Sequence, residues 1–311
     1  MKFVTFEKED KSISSGWLAG DTHAVDMYEA TGGKLPNNLL QFLENSEVYL
    51  KTVTSLLPFK MGQKGVYPLK DIRLKAPLPN PRSFRDFYAF EQHVKAARQK
   101  RGLEMIPEWY DFPVFYFSNH LAIKGPNECI VRPKDCGWLD YELEIACIIG
   151  KEGRDIPVES AAEYIFGYCI LNDWSARDLQ REEMKVGLGP AKGKDFSSSI
   201  GPWILTKDEL EPLKQGKGYN LQMIARVNGQ YLSEGNMKDI YYSFEEMIAR
   251  ASQGVTLYPG EIIGSGTVGT GCILELGGEV HRFLEPGDLV ECVIDKLGVL
   301  QNKIIDGKEV N

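Results

Sequence analysis

No stretch of this sequence approaches the roughly 18 consecutive apolar residues of a membrane-spanning helix, so no such helix is expected. The N-terminus, MKFVTFEKEDKSI, alternates apolar and charged residues and lacks the continuous apolar segment of a secretory leader. There is no cluster of basic side chains either. Lys and Arg total 36 against 44 Asp and Glu, a formal net charge of -8, whereas phosphate recognition calls for a basic excess or patch; a nucleic-acid binder is not expected. The six cysteines (Cys129, Cys136, Cys147, Cys169, Cys272 and Cys292) contain no C-x-x-C pair. Cys147 and Cys169 fall inside apolar runs, which suits free thiols in a reducing, cytoplasmic setting. Internal repeats and low-complexity tracts are also missing.

What is present is globular material. A chain of 311 residues, 43% hydrophobic and 26% charged, can bury one large core or two unequal ones. After a first strand at residues 2–6, Leu39, Leu40, Leu43 and Val48 recur with the helical turn, predicting one helix over 38–57. Pro77, Pro79 and Pro81 then alternate in an extended connector, which puts a domain boundary near residue 75: a small N-terminal domain, 1–75, and a larger one, 76–311. Ser83 offers an N-cap for a helix through about residue 100, on which Asp86 and His93, seven apart, would share a face. Beyond it, residues 114–117, 141–149, 166–171, 203–206 and 221–227 are rich in β-branched and aromatic side chains and read as strands. Helices are expected near 158–165 and after Ser243, whose capping-box partner is Glu246. Asn228-Gly229 and residues 295–298 mark tight hairpins, so the sheet should be antiparallel or mixed. Glycine is dense over 260–278, permitting close backbone approach to a ligand.

Chemistry is suggested first by Asp140-Tyr-Glu-Leu-Glu144. The strand period of two sends Tyr141 and Leu143 to one face and Glu142 and Glu144 to the other. Two carboxylates side by side repel, and burial would add a desolvation cost, so a cation between them resolves both. An isolated E-x-E is more often a solvated strand face. The segment Asn172-Asp-Trp-Ser-Ala-Arg-Asp-Leu-Gln180 adds a third carboxylate, Asp173, where an apolar run ends. Arg177 and Gln180, three apart, share a helical face beside it, although capping by Asp173 or Ser175 would also account for the pattern. Oxygen ligands without His or Cys favour a hard ion, Mg²⁺, Mn²⁺ or Ca²⁺, over zinc.

Taken together, these stretches resemble the fumarylacetoacetate hydrolase family over roughly residues 76–295. The resemblance rests on several motifs in order: Asp86-Phe-Tyr-Ala-Phe-Glu-Gln-His93, the pair Glu142 and Glu144, the N-D-W-S-A-R-D-x-Q motif at 172–180, Gly189-Pro-Ala-Lys-Gly-Lys194, Gly264-Ser-Gly-Thr267, and Glu275 within 272–276. It implies an α+β, β-rich fold: a mixed β-sheet roll of the family's C-terminal domain type, preceded by a small N-terminal domain. It further implies one divalent cation, Mg²⁺ first, held by Asp86, Glu142, Glu144 and Asp173 as a Lewis acid. His93, oriented by Glu275, would be the general base. Arg177, Gln180 and Lys194 would stabilise the oxyanion and enolate. Tyr88, Arg101, Tyr116 and Thr267 would contact the substrate. The implied activity is hydrolysis of a carbon-carbon bond in a small dicarbonyl substrate, a 2,4-diketo acid such as fumarylacetoacetate, in aromatic amino acid catabolism, by a homodimer. The alternative is decarboxylation, isomerisation or tautomerisation of an oxaloacetate-like or 2-hydroxy-diene-dioate acid at the same metal site. A non-catalytic metabolite-binding module is the third reading.

Overall fold

The computed structural model describes residues 1–57, 63–100 and 102–307. Strands β1 (Lys2–Glu7), β2 (Ile13–Ala19) and β3 (His23–Asp26) form an antiparallel meander that β4 (Val66–Pro68) extends. Between β3 and β4 the described residues form a single helical turn, Met27–Ala30, and then α1 (Leu39–Glu44) and α2 (Ser46–Ser55), where one continuous helix over 38–57 was expected. Asn38 caps α1 by accepting from the Gln41 amide. The break falls at Asn45, with φ -136° and ψ 36°, a residue type that competes poorly for helix interiors.

The chain continues through β5 (Phe84–Phe87), α3 (Glu91–Gln99), β6 (Phe115–Phe117), β7 (Leu143–Ile149) and β8 (Ile165–Asn172). Next come α4 (Arg177–Met184), α5 (Lys192–Asp195), β9 (Ser198–Thr206) and the hairpin of β10 (Gln222–Val227) and β11 (Gln230–Asn236). Then follow α6 (Phe244–Ser252), β12 (Ile262–Gly264), the single turn α7 (Ile273–Leu276), β13 (Leu289–Ile294) and β14 (Gly298–Ile305). The large mixed sheet runs β4-β3-β2-β1-β9-β8-β7-β12-β5-β6, and β11-β10-β13-β14 form the body of a second, five-stranded sheet. Strand β1 joins β9 within the large sheet, with Lys2 opposite Leu205.

Three local readings change. Residues 84–87 form a strand, not the start of a helix. All four of its residues are buried, it pairs in parallel with β12 (Asp86 opposite Gly264), and the helix begins only at Glu91. Ser83 does not cap it; its hydroxyl donates to Glu261 at 2.6 Å. Asp86 and His93 are therefore on consecutive elements, and their shared helical face does not exist. Glu142 likewise precedes β7, its amide held by Asn172 Oδ1 at 3.0 Å. The expected helix at 158–165 is a short turn, Val158–Ala161, with a 3₁₀ turn after it, and Ile165 already begins β8.

The hairpin expectation and the capping box at Ser243 hold. Asn228 and Gly229 both take positive φ, 52° and 79°, as a two-residue turn of this kind requires. Ser243 and Glu246 close a reciprocal capping box. All six cysteines are free thiols, and Cys129 alone is exposed.

The central strand β7 is buried on both faces. Leu143, Ile145, Cys147 and Ile149 enter one core with the second sheet, while Ala146 and Ile148 enter another with Phe3, Trp17 and Phe42. Any polar side chain on this strand is cut off from water, and that sets the electrostatics of the site. No helix among the described residues is long and apolar enough to cross a membrane.

Candidate active site

Three carboxylates meet at one end of the large sheet: Asp86 on β5, Glu144 on β7 and Asp173 just after β8. All are at most 2% exposed, and one ligand oxygen from each lies within 4.8 Å of the others. Gly264 permits the approach. It lies on β12 between β7 and β5, and a Cβ there would stand 2.2 Å from Asp86 Oδ1. Asp86 Oδ1 and Glu144 Oε2 are buried with no hydrogen-bond donor. Burial, then the neighbouring charge of Asp173, lifts the Asp86 carboxyl well above the usual carboxylate range. Burial and then Asp86 do the same to Glu144.

Two cations face this group. Lys194 of α5 donates to both Glu142 and Asp173. Arg177, at the start of α4, places Nη2 2.8 Å from Glu142 Oε1, Nε 2.9 Å from Asp140 Oδ2 and Nη1 3.3 Å from Gln180 Oε1. Burial would raise the Glu142 carboxyl, but Lys194 and Arg177 overcome it and hold it at about 2. Burial works against the Lys194 ammonium, yet Asp173 and Glu142 keep its affinity for the proton above that of an ordinary lysine. Glu142 is thus the counter-ion of two cations and lies outside the group of three. The Tyr116 hydroxyl donates to Asp173, and to Asp86 Oδ2 at 3.3 Å. Thr267 donates to Glu144 Oε1 at 3.3 Å, and Ser198 to Asp173 Oδ1 at 3.1 Å.

The histidine expected as a base is in place on α3, 4% exposed, with Nδ1 paired to Glu275 Oε1 of α7. Glu275 Oε2 accepts from the Thr270 amide at 3.0 Å, so both carboxylate oxygens are fixed. The Tyr88 ring meets the imidazole edge-on at 5.3 Å. Tyr88 also lines an apolar cavity of about 130 Å³ with Val94, Ile106 and Trp109. A second cavity, about 350 Å³, opens beside Lys194 between Phe117, Ser118 and Asn119 on one side and Pro190 and Lys192 on the other. Arg101 lies outside the described residues.

Sequence reasoning gave Asp140 and Ser198 no part in the site, and Gly264, quoted within a motif, no specific role. Asp140 is fully buried and accepts from Arg177 and from the amides of Ile273 and Leu274. Its signal was available: positions 140, 142 and 144 share one parity.

Residues 82–305 match the family model described as fumarylacetoacetate (FAA) hydrolase C-terminal. The chain belongs to the fumarylacetoacetate hydrolase family. It is 31% identical over 300 residues to the human mitochondrial oxaloacetate tautomerase FAHD2A, covering 93% of this chain and 87% of the relative. The fumarylacetoacetate hydrolase of the psychrophile Exiguobacterium antarcticum superposes with a TM-score of 0.74 at 28% identity, covering 98% of this chain and 99% of the other. The maleylpyruvate hydrolase of Sphingobium sp. SYK-6, solved with manganese(II) and pyruvate, shares the fold with a TM-score of 0.74 at 24% identity, covering 99% of this chain and all of the other. The names of these proteins carry different reactions, and the two solved structures share the β-rich, mixed-sheet α+β architecture seen here.

Proposed function

We propose that this enzyme interconverts the keto and enol forms of an oxaloacetate-like dicarbonyl acid, with one divalent cation held by Asp86, Glu144 and Asp173. The reading rests chiefly on the 31% identity, over 93% of the chain, to a relative named for oxaloacetate tautomerisation, a reaction that needs proton transfer and no attacking water. This departs from the hydrolysis that the motifs alone put first, and it takes up their alternative.

The residues present fit a hard cation. Two buried carboxylate oxygens have no donor, Gly264 leaves the space in which they converge, and all three ligand atoms are oxygen. Mg²⁺ suits such a set, and Mn²⁺ or Ca²⁺ would also be accepted; the manganese in the Sphingobium hydrolase supports this choice. Glu142 completes the acidic set as the partner of Lys194 and Arg177. When bound, the cation would draw electron density from the carbonyl and enol oxygens and so lower the cost of the enolate.

The chain's own groups then move one proton. Glu275 on Nδ1 fixes the imidazole tautomer and leaves Nε2 of His93 to take the enol O–H proton and return it to the adjacent carbon. Arg177, Gln180 and Lys194 hold fixed positive charge and an amide toward the negative charge that develops in between. Tyr88 is the aromatic wall beside the base, and Tyr116 and Thr267 orient the carboxylates. Residues 1–75 serve as an N-terminal unit that buttresses the catalytic part, 76–311, through the pairing of β1 with β9.

The same His93–Glu275 pair could activate water, and the 28% identity to a fumarylacetoacetate hydrolase keeps cleavage of an acylpyruvate as the second reading. Decay of the enol absorbance of oxaloacetate, followed above the spontaneous rate with Mg²⁺ or with a chelator, separates the two. Metal-dependent acceleration that disappears in His93→Ala supports tautomerisation. Cleavage of an acylpyruvate without any effect on enol decay would replace it with hydrolysis.

A further inference from the structure

We infer that Asp140 is a positioning residue that couples Arg177 to the His93–Glu275 pair. The inference builds on the proton-transfer reading above, but its geometry stands independently. Asp140 is wholly buried, and both of its oxygens are used: Oδ1 accepts from the Ile273 amide at 2.8 Å, and Oδ2 from the Leu274 amide at 3.0 Å and from Arg177 Nε at 2.9 Å. The two amides are the first of α7, whose own N-cap residue, Cys272, supplies no side-chain acceptor. Asp140 fills that role from across the fold, and α7 carries Glu275 on the same single turn. The height of Glu275 against His93 Nδ1 is therefore set by a carboxylate that also fixes the guanidinium plane of Arg177.

Asp140 is itself held in register, because Leu139–Asp140 pairs with Ser175–Ala176, immediately before Arg177. A continuous chain of polar contacts results: His93 to Glu275, α7 to Asp140, Asp140 to Arg177, and Arg177 through Glu142 to Lys194. Among the described residues, Asp140 has no hydrogen bond to Asp86, Glu144 or Asp173. Its loss should disturb the base and the anion-facing guanidinium together while leaving the three-carboxylate group intact.

A double-mutant cycle tests this. In the otherwise wild-type chain, Asp140→Asn should lower kcat by at least about tenfold with KM changed by less than about twofold; in the Glu275→Gln background the same change should cost less than about twofold in kcat. The imidazole ¹⁵N resonances of His93 should move in Asp140→Asn and stay in place in the remote control Asp288→Asn. If Asp140→Asn does not fold, Asp140→Glu, which keeps the charge, takes its place in both measurements. Equal losses in the two backgrounds, or His93 resonances that do not move, would overturn the inference. The resonances are read without substrate, so they decide the coupling even if the wild-type protein turns over no enol acid, an outcome that would instead remove the proposed function.

Discussion

Gly264 and Asp86 face each other across a parallel strand pair, and the carboxylate occupies the space that a side chain on Gly264 would need, 2.2 Å from its Cβ position. Gly264→Ala should push Asp86 away from Glu144 and Asp173. Leu171 Cδ2, 2.8 Å from the same point, closes the other way out, so overpacking should cost about 1–3 kcal/mol. Calorimetric titration with Mn²⁺ should show affinity reduced by about 10–100-fold, comparable to loss of a residue that orients a metal ligand.

His93→Ala should lower kcat by about 10²–10⁴-fold, the range for removing a general acid-base. Glu275→Gln should lower it less, since the imidazole keeps a hydrogen-bond partner without the charge. Among the described residues neither side chain is hydrogen-bonded to the three carboxylates, so Mn²⁺ affinity should be unchanged in both variants. Steady-state kinetics and calorimetry on the same preparations check the pair of expectations.

Cation binding should release protons. Burial and mutual repulsion hold Asp86 and Glu144 above the usual carboxylate range, so each keeps a proton at a pH where an exposed carboxyl has lost it. A cation competes with those protons, and its affinity must therefore rise with pH. Titrations in buffers of different ionisation enthalpy should give apparent heats that diverge in the direction of proton release. Identical heats across buffers would contradict the shifted carboxyls.

Away from the site, Asp288 accepts from Arg282 at 2.7 and 3.0 Å, from Asn228 at 2.8 Å and from the Glu285 amide at 2.8 Å. Burial raises its carboxyl, but Arg282 and the other donors outweigh it and bring it to about 2. A depressed carboxyl stabilises the fold above its unfolded value of about 4, and that contribution fades as pH falls through about 2. With Arg282 half exposed, it amounts to at most about 2 kcal/mol. Denaturant melts of wild type and Asp288→Asn should differ near neutral pH and converge between about pH 4 and about pH 2.

The sequence made the acidic residues visible but not what engages them. Glu144 was legible because a buried strand alternates its side chains, and Asp173 because an apolar run stops there. Asp86 reads as helical because Ser83, three residues before it, reads as an N-cap. Its strand is decided by pairing with 262–264, far along the chain, which local periodicity cannot register. Glu142 resembled Glu144, and only the fold shows it claimed by Lys194 and Arg177. Asp140 lay in the same short motif and was passed over because its partners, the first amides of α7, belong to residues 273 and 274. The choice between hydrolysis and tautomerisation was not legible at all. Tautomerisation passes through an enolate and hydrolysis releases one, and the residues proposed to stabilise it are the same in both readings.

The central claim is that Asp86, Glu144 and Asp173 seat one hard cation beside the His93–Glu275 pair. Anomalous diffraction from crystals soaked in Mn²⁺ tests it most directly. One peak bounded by those three carboxylates is expected, with none in Asp173→Asn crystals. A peak instead among His93, Cys272 and Glu275, or none in the wild type at saturating Mn²⁺, would contradict it.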